Sequence, residues 1–190
     1  SWVIFIIWKT EEDFLEKSKV ISDQYKSKIC HIQWVPAEYL KLTQCNKKLL
    51  KDLNTRWNTE GKKILAKLGT IAAHRKALLA IYMNKTDNNI ILESDATFSA
   101  KLPSPPNVSC YMGGWIIPPQ ITKAGITKIN VKPKKGLNSI EYGTFSVLMA
   151  HALFIKTFEE SMELFQTTIT DKIKNYDIHL IDMEFLKHYY

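Results

Sequence analysis

Two carboxylates follow a short apolar run near the middle of the chain. Residues 90–92 are apolar, and Glu93 and Asp95 come next with one residue between them. Side chains alternate faces along a strand, so both carboxylates point the same way if strand geometry continues. Open α/β sheets bind ligands beyond the carboxyl ends of their strands, and Mg²⁺ or Mn²⁺ binds carboxylates together with substrate phosphates. The pattern predicts a metal–nucleoside diphosphate site; the alternative is a solvated acidic turn.

Glycines and lysines after this pair are candidates for contacting the diphosphate. Gly113 and Gly114 interrupt the next strand candidate, where a backbone without side chains permits close approach to a ligand; a β-bulge is the alternative. Lys132, Lys134 and Lys135 lie in a basic loop. Their charges would stabilise a departing nucleotide, unless the loop is simply a solvated surface.

Other candidates belong to a predicted helix and to the first strand. His74 lies among apolar residues in mid-helix, as a hydrogen-bonded core histidine would, or as a ligand. Arg75 and Lys76, next to it, are candidates for contacting phosphate. Trp8, at the end of the first strand, would stack on a base or fill the core or its rim.

Asp182 and Glu184 are the catalytic candidates. Both are flanked by apolar residues late in the chain. A semi-buried acid acquires the raised pKa that suits a general base. Acids at the start of a helix, favoured by the helix dipole, would give the same pattern.

Composition limits the class of protein. A length of 190 residues predicts one domain, and 45% hydrophobic with 24% charged residues is typical of a globular protein. No apolar run approaches the length of a membrane span. Three scattered cysteines indicate a reducing compartment such as the cytoplasm, and a net charge of +7 favours anionic partners.

The first half of the chain predicts alternating strands and helices. Residues 2–8 are apolar but lack a basic leader and a cleavage site, which favours a buried strand over a signal peptide. A helix over 11–25 and a strand over 29–35 follow, as in a parallel sheet. Residues 37–61 predict a short helix with loops, and 64–83 the longest helix, largely buried.

The second half is less regular, although it still favours an α/β protein. The prolines of 101–107 predict a loop. The further expectations are an interrupted strand over 108–117, a mobile excursion over the site at 118–138, a strand over 144–150, an amphipathic helix over 153–165, and a final strand or helix over 177–190.

Five segments, in this order, resemble glycosyltransferase family 25, the lipooligosaccharide and collagen galactosyltransferase-like group. They are 68–78, with Gly69 and His74; 91–95; 111–114; 142–148; and 180–186. The resemblance implies a single-domain, GT-A-like (Rossmann-like) mixed sheet flanked by helices. Residues 1–100 would form the nucleotide-sugar half and 101–190 the acceptor half.

The resemblance also implies an activity, transfer of a sugar from a nucleotide sugar, expected to be a UDP-sugar, to a glycan or protein-linked sugar hydroxyl. Mn²⁺ or Mg²⁺ would be held by Asp95 and Glu93. Asp182 would deprotonate the acceptor if the reaction inverts the anomeric centre, with Glu184 and Glu141 in reserve. Departures from the family pattern include Ser94, where the family has a middle aspartate.

Two other classes remain open. Residues 93–97 superficially resemble the Asp-x-Asp-x-Thr loop of haloacid-dehalogenase phosphotransferases, but Glu93 stands where the nucleophilic aspartate would be and about half the chain precedes it. A basic nucleic-acid-binding module would suit the charge. The lysines are spread over several segments without a recognised binding motif, so no nucleic-acid partner is expected.

Overall fold

A computed structural model describes residues 1–41, 47–57, 61–96, 98, 102–112, 115–117, 135–138, 146–148, 152–169 and 187–189. Nine strands and four helices are defined within these ranges. In chain order they are β1 (Trp2–Trp8), α1 (Glu11–Tyr25), β2 (Ile29–Pro36), α2 (Lys47–Trp57), α3 (Lys62–Asn84), β3 (Asn89–Leu92), β4 (Cys110–Met112), β5 (Trp115–Ile117), β6 (Leu137–Asn138), β7 (Ser146–Leu148), β8 (Ala152–Ile155), α4 (Phe158–Thr167) and β9 (Lys187–Tyr189).

The opening strand–helix–strand unit is confirmed. β1 is buried along almost all of its length, as expected of a strand covered on both faces. It pairs in parallel with β2. α1 begins at Glu11 because the Thr10 side chain accepts a hydrogen bond from the Asp13 backbone N–H, which caps the helix.

The main sheet is mixed, in the order β2-β1-β3-β8-β4-β9-β6, and β5 pairs with β7 in a separate two-stranded sheet. β1 lies between β2 and β3 and is parallel to both. β8 runs antiparallel to β3 and to β4. The expected α/β architecture, a mixed sheet flanked by helices, is therefore confirmed.

Helices cover both faces of this sheet, and the alternation of side chains along β1 assigns a core to each face. Ile4 and Ile6 pack in the same core as Phe14 and Ile21 of α1. The odd-numbered residues of β1 pack on the other face with α3 and with Leu164 of α4. The sheet is thus packed between α1 on one face and α3 with α4 on the other.

The predicted helix over 153–165 is wrong in its first part. Residues 152–155 form β8, whose last three residues are buried in the middle of the sheet. The helix begins only at Phe158, after Thr157 accepts a hydrogen bond from the Glu160 N–H. A short apolar run fits a buried strand as well as a helix, and the Thr-x-x-Glu capping pattern marked the true start.

The predicted strand over 108–117 is divided between two sheets, since β4 belongs to the main sheet and β5 to the two-stranded one. In the part of the chain that the structure describes, no helix combines the length and apolarity needed to cross a bilayer.

Candidate functional site

A cavity of about 700 Å³ lies at the carboxyl ends of β1 and β3. Its walls are the ends of these strands, the segment 37–40 that follows β2, and the N-terminal half of α3. The chain passes from β1 to β2 on one side, then crosses to β3 on the other side of β1. In open α/β sheets such a switch point is where ligands bind, so topology and cavity select the same place.

Glu93 and Asp95 both line this cavity, but a turn rather than a strand brings them there. β3 ends at Leu92, and the Ala96 N–H donates to the Glu93 carbonyl oxygen at 3.0 Å. We call residues 93–96 the acidic turn. The alternation of side chains along a strand therefore does not extend to Asp95. The hydrogen-bonded turn, and not strand geometry, brings both carboxylates to the cavity.

His74 connects α3 to the acidic turn. Its Nε2 lies 2.7 Å from Oε1 of Glu93, and its side chain is buried. His74 is therefore both a buried, hydrogen-bonded residue and a residue of the site. A carboxylate has about four lone-pair positions, so Glu93 retains the capacity to bind a further ligand while His74 fixes its orientation.

Lys17 of α1 holds the acidic turn from the opposite side of the sheet. Its Nζ donates to the carbonyl oxygens of Ser94 and Ala96, at 2.7 and 2.6 Å. The same ammonium lies 4.8 Å from the centre of the Trp8 ring, close enough for a cation–π contact. Burial lowers the pKa of Lys17, and the negative charge of Asp95 partly opposes that shift.

No sequence pattern pointed to Lys17. It lies 77 positions from Ser94 in the chain, and a half-exposed lysine on an amphipathic helix looks like any other solvated lysine. Only the crossing of α1 over the end of β3 brings the two together.

Gly69 explains how α3 approaches the opposite wall of the cavity. A Cβ atom at this position would lie 2.4 Å from the carbonyl oxygen of Glu38. Glycine is therefore required for the contact between α3 and the segment 37–40. Glu38 also forms an ion pair with Lys76 of α3. Gly69 and His74 of the helical motif thus have separate structural roles, one at each wall.

Only some of the remaining predicted ligand residues lie at the cavity. Trp8 lines the cavity. Arg75 instead lies 5.2 Å from the ring centre of Phe165 on α4, and Lys76 pairs with the cavity residue Glu38. Neither Arg75 nor Lys76 lines the cavity itself. Lys135 is exposed and away from the cavity lining.

Several predicted site residues lie outside the described residues. They are Gly113, Gly114, Lys134, Glu141, Asp182 and Glu184, together with most of the predicted excursion over 118–138.

The acidic turn suits a cation that arrives with its substrate better than a cation held by protein alone. Within the described ranges no group of three or more His, Cys, Asp or Glu side chains is placed to hold a metal ion. Glu93 and Asp95 supply two carboxylates at the cavity wall. Mg²⁺ is commonly bound by one or two carboxylates plus substrate phosphates, and these two residues fit that kind of site.

No family model, no curated protein and no solved structure matches this chain. The geometry of the cavity and the chemistry of its side chains are therefore the basis for a functional proposal.

Proposed function

We propose that this protein is a metal-dependent glycosyltransferase that moves a sugar from a nucleotide sugar, with UDP as the nucleotide, to a hydroxyl of a glycan or a protein-linked sugar. The observation that carries the proposal is the acidic turn in a large cavity at the switch point of the sheet. Cavities of this size accept ligands as large as a nucleotide, and carboxylates at this edge are suited to a metal–diphosphate complex.

A GT-A-like fold forms part of this proposal. It is supported by the parallel β2-β1-β3 unit, by the single antiparallel strand β8 between β3 and β4, and by the position of the acidic turn directly after β3. The order of the segments that resemble glycosyltransferase family 25 agrees with this arrangement, because Gly69, His74 and Glu93 all meet at one cavity.

The side chains at the cavity, and two acids outside the described residues, have separate roles in the proposed reaction. Mn²⁺ or Mg²⁺, held by Asp95 and Glu93, would neutralise charge on the leaving nucleoside diphosphate. His74 orients Glu93, and Lys17 fixes the backbone of the turn. Trp8 presents an aromatic surface to the base at the cavity wall. Asp182, or Glu184 in its place, accepts the proton of the acceptor hydroxyl.

Calorimetric titration with UDP, GDP and CMP, each with and without Mn²⁺, tests the proposal. We expect UDP to bind most tightly and Mn²⁺ to strengthen that binding. Asp95→Asn should remove the Mn²⁺ dependence because it removes a charged oxygen ligand. Asp23→Asn is the matched control, since Asp23 is an exposed aspartate on α1 away from the cavity lining.

Two results would contradict the assignment. One is unchanged Mn²⁺-assisted UDP affinity in Asp95→Asn. The other is Mg²⁺-dependent phosphatase activity without nucleotide binding, which would favour the phosphotransferase alternative.

A further inference from the structure

Exposed apolar side chains gather on the outer side of α3, away from the cavity. Seven large apolar side chains are exposed in the described residues. Three of them, Leu79, Tyr82 and Met83, lie on the C-terminal half of α3, and a fourth, Ile169, follows the end of α4. Spacings of three and four residues place Leu79, Tyr82 and Met83 on one side of the helix. Apolar side chains grouped in this way indicate an interaction site, whereas isolated ones need no explanation.

α4 extends this surface because it packs antiparallel beside α3. The ring of Phe158, at the start of α4, lies 6.1 Å from that of Tyr82 near the end of α3. Two turns further along α4, Phe165 contacts Arg75, which lies two turns earlier on α3. Phe158, Met162 and Phe165 are only partly buried, and their spacing places them on one side of α4. We call the apolar residues of the two helices the helix-pair surface: Leu79, Tyr82, Met83, Phe158, Met162 and Phe165.

The two helices carry charges of opposite sign. α3 has only basic charged residues and α4 has only acidic ones: Lys62, Lys63, Lys67, Arg75 and Lys76 on α3, and Glu159, Glu160 and Glu163 on α4. Glu159 and Glu163 are exposed and lie four residues apart, so they share one side of α4. Arg75 precedes Leu79 by four residues and therefore borders the helix-pair surface. An apolar surface between a basic helix and an acidic helix is complementary in charge to a rotated copy of itself.

We propose that a second copy of this chain packs on the helix-pair surface, so that α3 of each copy lies against α4 of the other. A twofold axis that runs parallel to the helices, between α3 and α4, produces this arrangement. The apolar side chains of both copies then form the core of a four-helix bundle. Arg75 lies level with Phe165, two residues from Glu163. The rotation therefore brings Arg75 of one copy close to Glu163 of the other.

The charges and the size of the surface favour this occupant and limit its strength. The exposed acids Glu159 and Glu163 would be repelled by an anionic membrane or by a nucleic acid, whereas α3 of a second copy attracts them. α4 is about 15 Å long, so the bundle is short and the dimer is weak and reversible. No residue of the helix-pair surface lines the cavity. Dimerisation is therefore independent of the proposed catalytic function.

Sedimentation velocity over a wide range of protein concentration measures the dimer. We expect the wild type to pass reversibly from monomer to dimer as its concentration rises. Met83→Glu places a charge within the apolar core of the bundle and should raise the dissociation constant of the dimer about tenfold or more. Leu15→Glu is the matched control, because Leu15 on α1 is 58% exposed and Met83 is 69% exposed. It should leave the dissociation constant unchanged.

Charge reversal tests which helices face each other. Arg75→Glu and Glu163→Arg, made singly, each set like charges against each other at both symmetric contacts. Each should weaken the dimer about two- to fivefold per contact at low salt. The two changes together in one chain restore opposite charges and should restore the dimer. A double variant that stays as weak as the single variants would overturn the pairing of α3 with α4.

Two further results would overturn the dimer itself. One is a wild type that stays monomeric at every concentration, as it would if another segment of the chain or a different partner covered the helix-pair surface. The other is equal weakening by Met83→Glu and Leu15→Glu, which would place the contact elsewhere. UDP affinity in the presence of Mn²⁺ is measured on the same variants and should not change. A dimer that binds no UDP would contradict the proposed function and leave this inference standing.

Discussion

The four helices in the described part of the chain begin in two opposite ways. α1 and α4 each follow a threonine whose side chain accepts a backbone hydrogen bond, and each has acidic residues in its first turn. α2 and α3 each open with two lysines and have no acid there. The first pair obeys the electrostatics of a helix N-terminus, whereas the second pair opposes it.

For α3 the unusual start coincides with a place at the cavity, although α2 contributes no residue to the cavity lining. α4 lies remote from the cavity lining, and α1 contributes only its first turn, whereas the first three turns of α3 form a wall. A helix that starts against its own dipole must be held by tertiary packing. For α3 that packing includes the close contact of Gly69 with the segment 37–40 and the burial of Ile64 and Ile71. Stability at this end of the molecule therefore comes from contacts rather than from caps.

The largest effect is expected from a substitution that disrupts this packing. Gly69→Ala would place a Cβ atom 2.4 Å from the Glu38 carbonyl oxygen, so the backbone must move. We expect a loss of about 1–3 kcal/mol in the free energy of unfolding, although alanine in an ordinary helix interior stabilises by up to about 1 kcal/mol. Urea denaturation measures this loss in the free energy of unfolding.

Thr70→Ala is the matched control for Gly69→Ala, because Thr70 is the next residue of the helix and is exposed. It should change stability little. A Gly69→Ala variant as stable as the wild type would show that α3 does not depend on the close contact.

An intermediate effect is expected at the capped helices. Thr10→Ala removes the acceptor for the Asp13 N–H and should lower the unfolding free energy by about 1 kcal/mol. Thr55→Ala, inside α2, removes a hydroxyl that bonds only to the carbonyl of Lys51, and should be nearly neutral. Thermal unfolding of both variants measures the difference. Equal melting temperatures would contradict the role assigned to the cap.

The sequence predicted the strongly patterned elements and missed contacts between distant segments. β1 and α1 were predicted with their observed bounds, because a continuous apolar run and a capped amphipathic pattern are local signals. The run at 152–155 was misassigned, because burial in the middle of the sheet, not local pattern, makes it a strand.

Local patterns also predicted only part of the candidate site. The acidic pair was found because it directly follows an apolar run. The bond between His74 and Glu93 was not predicted, although His74 was noted. Lys17 was missed because nothing near it in sequence distinguishes it from a surface lysine. Side-chain contacts across the sheet depend on how helices cross strands, which no local pattern encodes.

The smallest expected effect exchanges one charge at the start of a lysine-first helix. Lys63→Glu places an acid in the first turn of α3, where the dipole favours it, and should raise the unfolding free energy by about 0.3–1 kcal/mol. Glu12→Lys in α1 is the reciprocal control, and it should lower the unfolding free energy by a similar amount. Urea denaturation of both variants measures the two changes. A Lys63→Glu variant no more stable than the wild type would show that the lysines do not weaken the first turn of α3, and that the difference between the two pairs of helices does not lie in their electrostatics.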